Sequence, residues 1–368
     1  MYVFVCARCD AELTVPLGQV ALPVHARQVY GNGAQLPVLM ESGTFAVDPD
    51  PWGGPWRMWD EVGPGEAEAR GVYGRVWALS DGAAGAIVIA PGDVHGTRLV
   101  PETGGGACCG LDGADGPNMA CTGCDLPVAA RVDDCSLWQA VRLSADAVRR
   151  VPAGGADVAP LSSAELVAEA EPTPLVEPIG TWGGRIRRGH YWSWSPRWTA
   201  AAGRALAHLL VASQGQPVEI PYGVTAEVFQ RALDALLPAA PPGRRAVLAG
   251  PGLPSPDASA DILLVPVHPR TGETWTPDDM AAAACPVPLP LGVWLRLVSP
   301  QPHRPIPAVG GMPRDVLRDD PLPPHPPYPF RVDRGTFQHT LVRLEAVRSP
   351  WMRPILERLG RAGTAGRF

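Results

Sequence analysis

The sequence predicts an α+β protein, with a mainly β amino-terminal domain and a mixed α/β carboxy-terminal domain. Three observations lead there. Short Val- and Leu-rich runs punctuated by Pro and Gly fill residues 1–145. Two long runs with helical spacing of apolar residues begin only after residue 195. A segment with no aromatic residue, rich in Ala, Pro and acids, separates the two regions. We therefore divide the chain into a domain at 1–150, a linker at 151–180 and a domain at 181–368. A length of 368 residues suits two domains, and 46% apolar residues suffice to fill their cores.

In the first domain, LTVPLGQVALPV (13–24), LPVLM (36–40), VYGRVWAL (72–79), AIVIAP (86–91) and SLWQAVRL (136–143) read as strands. Between the second and third lies a long Pro- and Gly-rich loop at 48–66, with Trp52, Trp56 and Trp59. Those tryptophans either cover a core edge, which we take as the plainer reading, or form an exposed binding lip. Within the linker, Ser163 can cap a short helix running to Ala170.

In the second domain, Ser195 and Pro196 start a helix that runs to about Ser213. Another runs from about Thr225 to just before Pro238, with Val228, Phe229, Ala232, Leu233 and Leu236 on one stripe. The runs at 246–250, 261–267 and 292–298 read as buried strands. Residues 299–330 are proline-dense and predict extended chain. Two short amphipathic helices close the sequence, within 336–347 and 350–360.

Composition removes some function classes. All 31 basic residues are arginine. Without lysine there is no P-loop, no Schiff-base mechanism and no lysine-anchored pyridoxal phosphate. The Ala, Gly, Pro and Arg excess is the coding bias of high-GC bacterial genomes. No charged, apolar leader pattern opens the chain and no long apolar run lacks Pro or Arg, so we expect a cytoplasmic protein with no membrane span. Net charge is −6, spread as −9 over 1–145, −4 over 146–180 and +7 over 181–368. The plainer reading is that the acidic and basic halves pack on each other or sit in solvent; the sharper one is that the basic second domain meets an acidic partner such as a nucleic acid.

The strongest motif is Cys6-Ala-Arg-Cys9 together with Cys121-Thr-Gly-Cys124. A Cys-x-x-Cys turn lets two thiolates face one ion, and two turns supply the four soft ligands that tetrahedral Zn²⁺ prefers. Each pair is followed by an aspartate, Asp10 or Asp125, and then by an apolar run. These paired knuckles resemble a zinc ribbon carrying a domain-sized insertion. The resemblance implies a structural zinc that staples the amino terminus to the segment near residue 121. Cys108, Cys109 and Cys135 remain as extra thiols. Cys109 and Cys135 can form a local site with Cys121 and Cys124 that leaves Cys6 and Cys9 free, the extra thiols can make a second metal site or cluster, or all three can serve as inert small hydrophobes near the ribbon; the last is the plainest reading. Asp133 and Asp134 beside Cys135 should raise the pKa of its thiol.

Other candidates for chemistry are weaker. Asp93 and His95 sit two residues apart after an apolar strand and could act as an acid–base pair, as could His190. Arg185, Arg187, Arg188, Trp192, Trp194 and Arg197 interleave cations with aromatics, the pattern of a nucleic-acid contact. Three functions follow as expectations. The first is a zinc-stabilised scaffold with a protein partner. The second is a hydrolase or transferase with its site between the domains. The third is nucleic-acid binding through 185–198. A deep pocket between the halves, with His and Asp converging, would favour the second.

Overall fold

The computed structural model describes residues 1–31, 33–103, 106–154, 161–181, 190–221, 223–277, 284–299, 326 and 328–361. Its α+β architecture agrees with the sequence reading. The first half contributes β1 (Tyr2–Cys6), β2 (Gly18–Gln19), β3 (Ala34–Gln35), β4 (Thr44–Asp48), β5 (Trp56–Met58), α1 (Pro64–Ala69), β6 (Ala78–Ser80) and β7 (Ala86–Ile89). It continues with β8 (Thr97–Leu99), β9 (Met119–Cys121), β10 (Pro127–Val132), β11 (Ala140–Leu143) and β12 (Val148–Pro152). Seven of these strands form one sheet in the order β2-β4-β7-β11-β10-β9-β8, while β1 pairs with β12 and β5 with β6.

The period-2 alternation of the central strands sorts their side chains onto two faces. Phe45, Ile87, Ile89, Val141 and Leu143 enter one core with Phe4, Leu13 and Leu17. Complete burial of Phe45, Ile89 and Leu143 is worth roughly 1.5–3 kcal/mol apiece. On the opposite face, Ala46, Val88 and Ala140 meet Leu36, Leu39, Met40 and Trp138. The register places Arg142 opposite Val88, and Asp48 lies two residues beyond Ala46, so both charged residues belong to this second face.

The second half contains α2 (Ser163–Glu169), β13 (Val176–Thr181), β14 (His190–Trp194), α3 (Pro196–Ser213), β15 (Val218–Glu219), α4 (Val224–Leu236), β16 (Arg244–Leu248), β17 (Ile262–Val267) and β18 (Cys285–Pro290). It ends with α5 (Leu291–Val298), α6 (Arg334–Leu341) and α7 (Arg353–Arg361). A parallel sheet, β15-β16-β17-β18, lies against the helices, and Trp198, Phe229 and Trp294 are buried completely in the shared core. Helices α3 and α6 approach closely at Gly203, where a Cβ would lie 2.4 Å from the Asp333 carbonyl oxygen.

Several sequence expectations need correction. Residues 292–298 are helix α5, and the strand is the proline-rich stretch just before it. A short apolar run has no period that separates a buried strand from a buried helix. β18 tolerates Pro286, Pro288 and Pro290 because it is an edge strand. The alternate residues supply the amides, as when Cys285 donates to Asp261 O at 2.9 Å. Runs 13–24 and 72–79 are mostly irregular, holding only β2, a 3₁₀ turn and the start of β6. Ser195 stands at the start of α3 but its hydroxyl makes no capping bond. The cap of α2 is Ser162, which accepts from the Glu165 amide, one residue earlier than expected. Most of the proline-dense segment lies outside the described residues, as do 155–160 of the expected linker.

The rest of that linker is built into the fold. β13 pairs with both β14 and β3, so one three-stranded sheet draws strands from both halves. Leu166, Val167 and Ala170 pack on the helical core. Among the described residues no helix is long and apolar enough to cross a membrane.

Candidate metal centre and the cleft between the halves

Cys6 ends β1 and Cys121 ends β9, and each strand turns back through a matching knuckle. Asp10 N donates to Cys6 O at 3.0 Å, and Asp125 N to Cys121 O at 2.9 Å. Cys6 N donates to Ala11 O at 2.8 Å, and Cys121 N to Leu126 O at 2.9 Å. The two aspartates share a left-handed backbone, with φ of 59° and 58°. Each pairs with an arginine of a neighbouring strand, Asp10 with Arg149 and Asp125 with Arg98. The repeat read from the sequence is therefore a structural repeat.

The two knuckles face each other across 111 intervening residues. Cys6 Sγ lies 3.5 Å from Cys124 Sγ, and Cys9 Sγ lies 3.6 Å from Cys121 Sγ. All four sulfurs fall within 4.8 Å of one another. Thiolates 2.3 Å from a tetrahedral ion stand ~3.8 Å apart, so the set fits a metal ion with little adjustment. The Gly123 amide also points at Cys121 Sγ, at 3.4 Å. Burial pushes the Cys6 thiol up, but the Arg8 and Cys9 amides and the Cys124 sulfur outweigh it and bring the pKa to about 7. The Ala11 amide favours the Cys9 thiolate, yet the crowding sulfurs of Cys124 and Cys121 and burial drive it up to about 12. A bound cation would compensate the charge of thiolates crowded this closely.

The extra thiols do not join this centre. Cys108, Cys109, Asp134 and Cys135 form a separate group, with ligand atoms again within 4.8 Å of one another. Cys108 and Cys109 are exposed, which is incompatible with the inert hydrophobic role expected of them. The pKa of Cys135 is not raised as expected, because hydrogen bonds to its sulfur dominate. The Cys108 thiol and the Gly33 amide hydrogen-bond to its sulfur and lower its pKa, while Cys108 is pushed to about 12.

No family model, no curated protein and no solved structure matches the chain.

Among the described residues, Asp93 and His95 are placed in separate surroundings. Asp93 is buried, accepting from Ser42 Oγ at 2.5 Å and Gly43 N at 2.8 Å, so it caps a turn. His95 is exposed, and its amide donates to Leu13 O. The side chain of His190 and all of Arg185, Arg187 and Arg188 lie outside the described residues. Trp194 is buried, with Nε1 donating to Tyr328 O at 2.8 Å, so its face is not presented for base stacking. Trp192 is 37% exposed, and Arg197 is exposed near the Trp138 ring.

What the sequence did not disclose is a cavity of about 920 Å³ between the halves. Trp52, Trp56, Trp77 and Trp138 contribute aromatic surface to it, His339 an imidazole and Asp112 a carboxylate, and Arg27, Arg142 and Arg343 contribute positive charge. Asp48 and Asp50 do not line it but hold these cations. Asp48 is 2.7 Å from both Arg27 Nη2 and Arg142 Nη1. Asp50 Oδ2 is 3.2 Å from His339 Nε2 and 3.1 Å from Arg343 Nε. Arg142 also lies over the Trp52 ring, 4.6 Å from its centroid. Burial would push the Asp50 carboxyl up, but His339, Arg343 and Arg27 hold it well below the usual carboxylate range. Burial holds His339 below its ordinary value, against the pull of Asp50. A hydrogen-bonded chain binds the two halves behind the cavity. Trp138 Nε1 donates to Gln28 Oε1, and Gln28 Nε2 donates to Thr199 Oγ1.

The histidines make the fold acid-sensitive. Desolvation, with Arg197 nearby, lowers His25 to about 3, and desolvation lowers His208 to about 4. Both therefore take up protons more readily unfolded, where the pKa is ~6.5. Stability should be complete above that value and fall as pH drops toward the folded values. We expect a lower melting temperature at pH 5 than at pH 7.5, and a smaller drop in His25→Gln. An unchanged pH profile in that variant would rule out His25 as a source.

Proposed function

We propose that the protein is a zinc-stabilised binding protein whose cleft between the halves takes up a small anionic molecule with a flat apolar part. Zinc suits the Cys6, Cys9, Cys121 and Cys124 centre because four thiolates on two knuckles match its structural sites. With every coordination position taken by protein there is no room for an activated water, so the ion's role is structural. The knuckle repeat supports the zinc-ribbon resemblance.

One observation carries the cleft reading. Three guanidinium groups, of Arg27, Arg142 and Arg343, share two carboxylates, of Asp48 and Asp50, at a wall that also carries tryptophan faces. With His339 neutral, this cluster holds three cations against two carboxylates; Asp112 also lines the cavity, so the anion is expected at the Arg27, Arg142 and Arg343 wall. The cavity size is that of a small-molecule site, where aromatic surface gives affinity and a few polar groups fix orientation. This supports only the location that the second sequence reading expected, between the halves, and not its hydrolase or transferase reaction; His339 lines the cleft, and Asp93 and His95 are not among the described residues that line it. The scaffold reading keeps one observation of its own. Trp56, Met58 and Trp77 are 50%, 40% and 76% exposed, and the two tryptophans stand beside the cleft as an aromatic lip suited to a protein partner.

The test is a titration of the purified chain with inorganic phosphate, benzoate, adenosine monophosphate and neutral adenosine, read by tryptophan fluorescence and calorimetry. We expect saturable 1:1 binding of an anionic ring compound, none of adenosine, and binding weaker by about tenfold in Arg343→Met, the loss of one charge-assisted contact. Melting of the variant should be little changed. No saturable response to any anion would sink the reading.

A further inference from the structure

We propose that Cys108, Cys109, Asp134 and Cys135 form a second metal site, a surface site that takes up a thiophilic divalent cation in exchange with solvent. It stands on different residues from the cleft and from the four-cysteine centre, and holds whether or not either reading above survives.

The donors are three sulfurs and one carboxylate. Cys108 Sγ lies 3.4 Å from Cys109 Sγ and 3.1 Å from Cys135 Sγ, and both Asp134 oxygens lie 3.9 Å from Cys108 Sγ. The four come from two loops, one on each side of a two-way backbone bridge. Leu111 N donates to Asp133 O at 3.1 Å, and Asp133 N to Leu111 O at 2.7 Å. The loops fit each other closely. A Cβ on Gly110 would lie 1.9 Å from Asp133 O, so glycine is required there. Asp134 Oδ1 accepts from the Cys109 amide at 2.9 Å, which orients the carboxylate toward the sulfurs and leaves Oδ2 as donor. Behind Cys135, Ser136 N donates to Ala34 O at 2.8 Å and Ser136 Oγ to Gly31 O at 3.0 Å. The ligands are therefore positioned by the fold before any ion arrives, which lowers the ordering cost of binding.

The chemistry differs from that of the first centre. Three thiolates select a soft or borderline ion such as Zn²⁺, Cd²⁺ or Co²⁺ over Mg²⁺ or Ca²⁺. Each thiol that binds gives its proton to solvent. The first centre has two buried sulfurs, Cys6 and Cys121, beside half-buried Cys124 and exposed Cys9, whereas two of the three sulfurs in this group, Cys108 and Cys109, are exposed, so water and competing thiols reach its ion more directly. The first centre should hold its ion for the life of the fold, and the second should load and unload.

The full chain, kept reduced with a phosphine, is titrated with Co²⁺ and followed by its thiolate charge-transfer and d–d absorption. Zinc-loaded protein is analysed for metal per chain before and after a competing chelator. We expect two ions per chain, one for each cysteine group, with one removed by the chelator while the fold persists. Cys108→Ser/Cys135→Ser should bind one ion with unchanged melting. Asp134→Asn keeps the oxygen that accepts from Cys109 and loses the donor, so its second ion should bind weaker by about tenfold or more, a loss that even outer-shell changes cause. Cys109→Ser, at an exposed position, serves the same test should the double variant fail to fold. One ion per wild-type chain overturns the proposal. So does a second ion held equally well by the variants, or a Cys108–Cys135 disulfide that persists under the reductant and blocks uptake.

Discussion

Cys121→Ser, or removal of metal from the wild-type chain by a strong chelator, should abolish the cooperative melting transition of the β-rich half. Cys6 and Cys121 are both fully buried and belong to the core that contains Phe4, Phe45 and Leu143. One ends β1, whose partner is β12, and the other ends β9 in the seven-stranded sheet. An ion bound by both knuckles thus joins two sheets through their shared core. Structural zinc sites contribute about 10–16 kcal/mol of apparent binding free energy at neutral pH, as much as the whole stability of a typical domain, about 5–15 kcal/mol. Losing it leaves thiols crowded at the heart of a small core. Protons compete with the ion for the thiolates, so metal-dependent stability should fall as pH falls. The control is Cys285→Ser, at a half-buried thiol on the edge strand of the other half, which should melt like wild type. Circular dichroism with metal analysis decides the matter. A melting curve indifferent both to chelation and to Cys121→Ser would refute a structural metal.

The first centre was legible because its chemistry is written locally. Each knuckle needs only Cys-x-x-Cys, an aspartate able to adopt a left-handed backbone, and a returning apolar run, and the repeat of that pattern shows which pairs belong together. Helices α3 and α4 were legible for the same reason, since their stripes repeat every three to four residues. Strands β16 and β17 are bounded apolar runs of the right length. GVWLRLV failed because seven apolar-rich residues carry no usable period, and the prolines before it argued against the edge strand that is there. The second cysteine group was half legible. Its thiols were visible, but Asp134 became a donor only once the Leu111–Asp133 bridge set the two loops side by side. The cleft was not legible at all. Arg27, Asp48, Asp50, Arg142, His339 and Arg343 are separated by up to 316 positions and share no spacing rule. Only the strand register, which places Asp48 and Arg142 on one sheet face, and the packing of α6 behind it bring them together.

Asp48→Ala should be the most damaging substitution outside the cysteines. The Asp48 side chain is 1% exposed and that of Arg142 is 4% exposed, with 2.7 Å between Oδ2 and Nη1. Its other oxygen takes Arg27 Nη2 at 2.7 Å and the Asp50 amide at 3.1 Å. Removing the carboxylate strands the buried Arg142 guanidinium, leaves Arg27 only the more distant Asp50 carboxylate at 3.8 Å, and frees the turn that carries Asp50. Breaking one side of a buried ion pair costs about 3–5 kcal/mol, chiefly as the penalty of the orphaned partner. Denaturant unfolding should read that loss as a lower midpoint at unchanged slope. If the orphaned charge is the cause, Asp48→Ala/Arg142→Met should recover part of it, because methionine fills the volume without a charge. A double variant as unstable as the sum of its singles would instead assign the loss to packing and to the 48–51 turn. Arg142→Met alone leaves Asp48 with Arg27 and should cost less than Asp48→Ala. The order of the three variants therefore measures how much of the sheet's second face is held by charge.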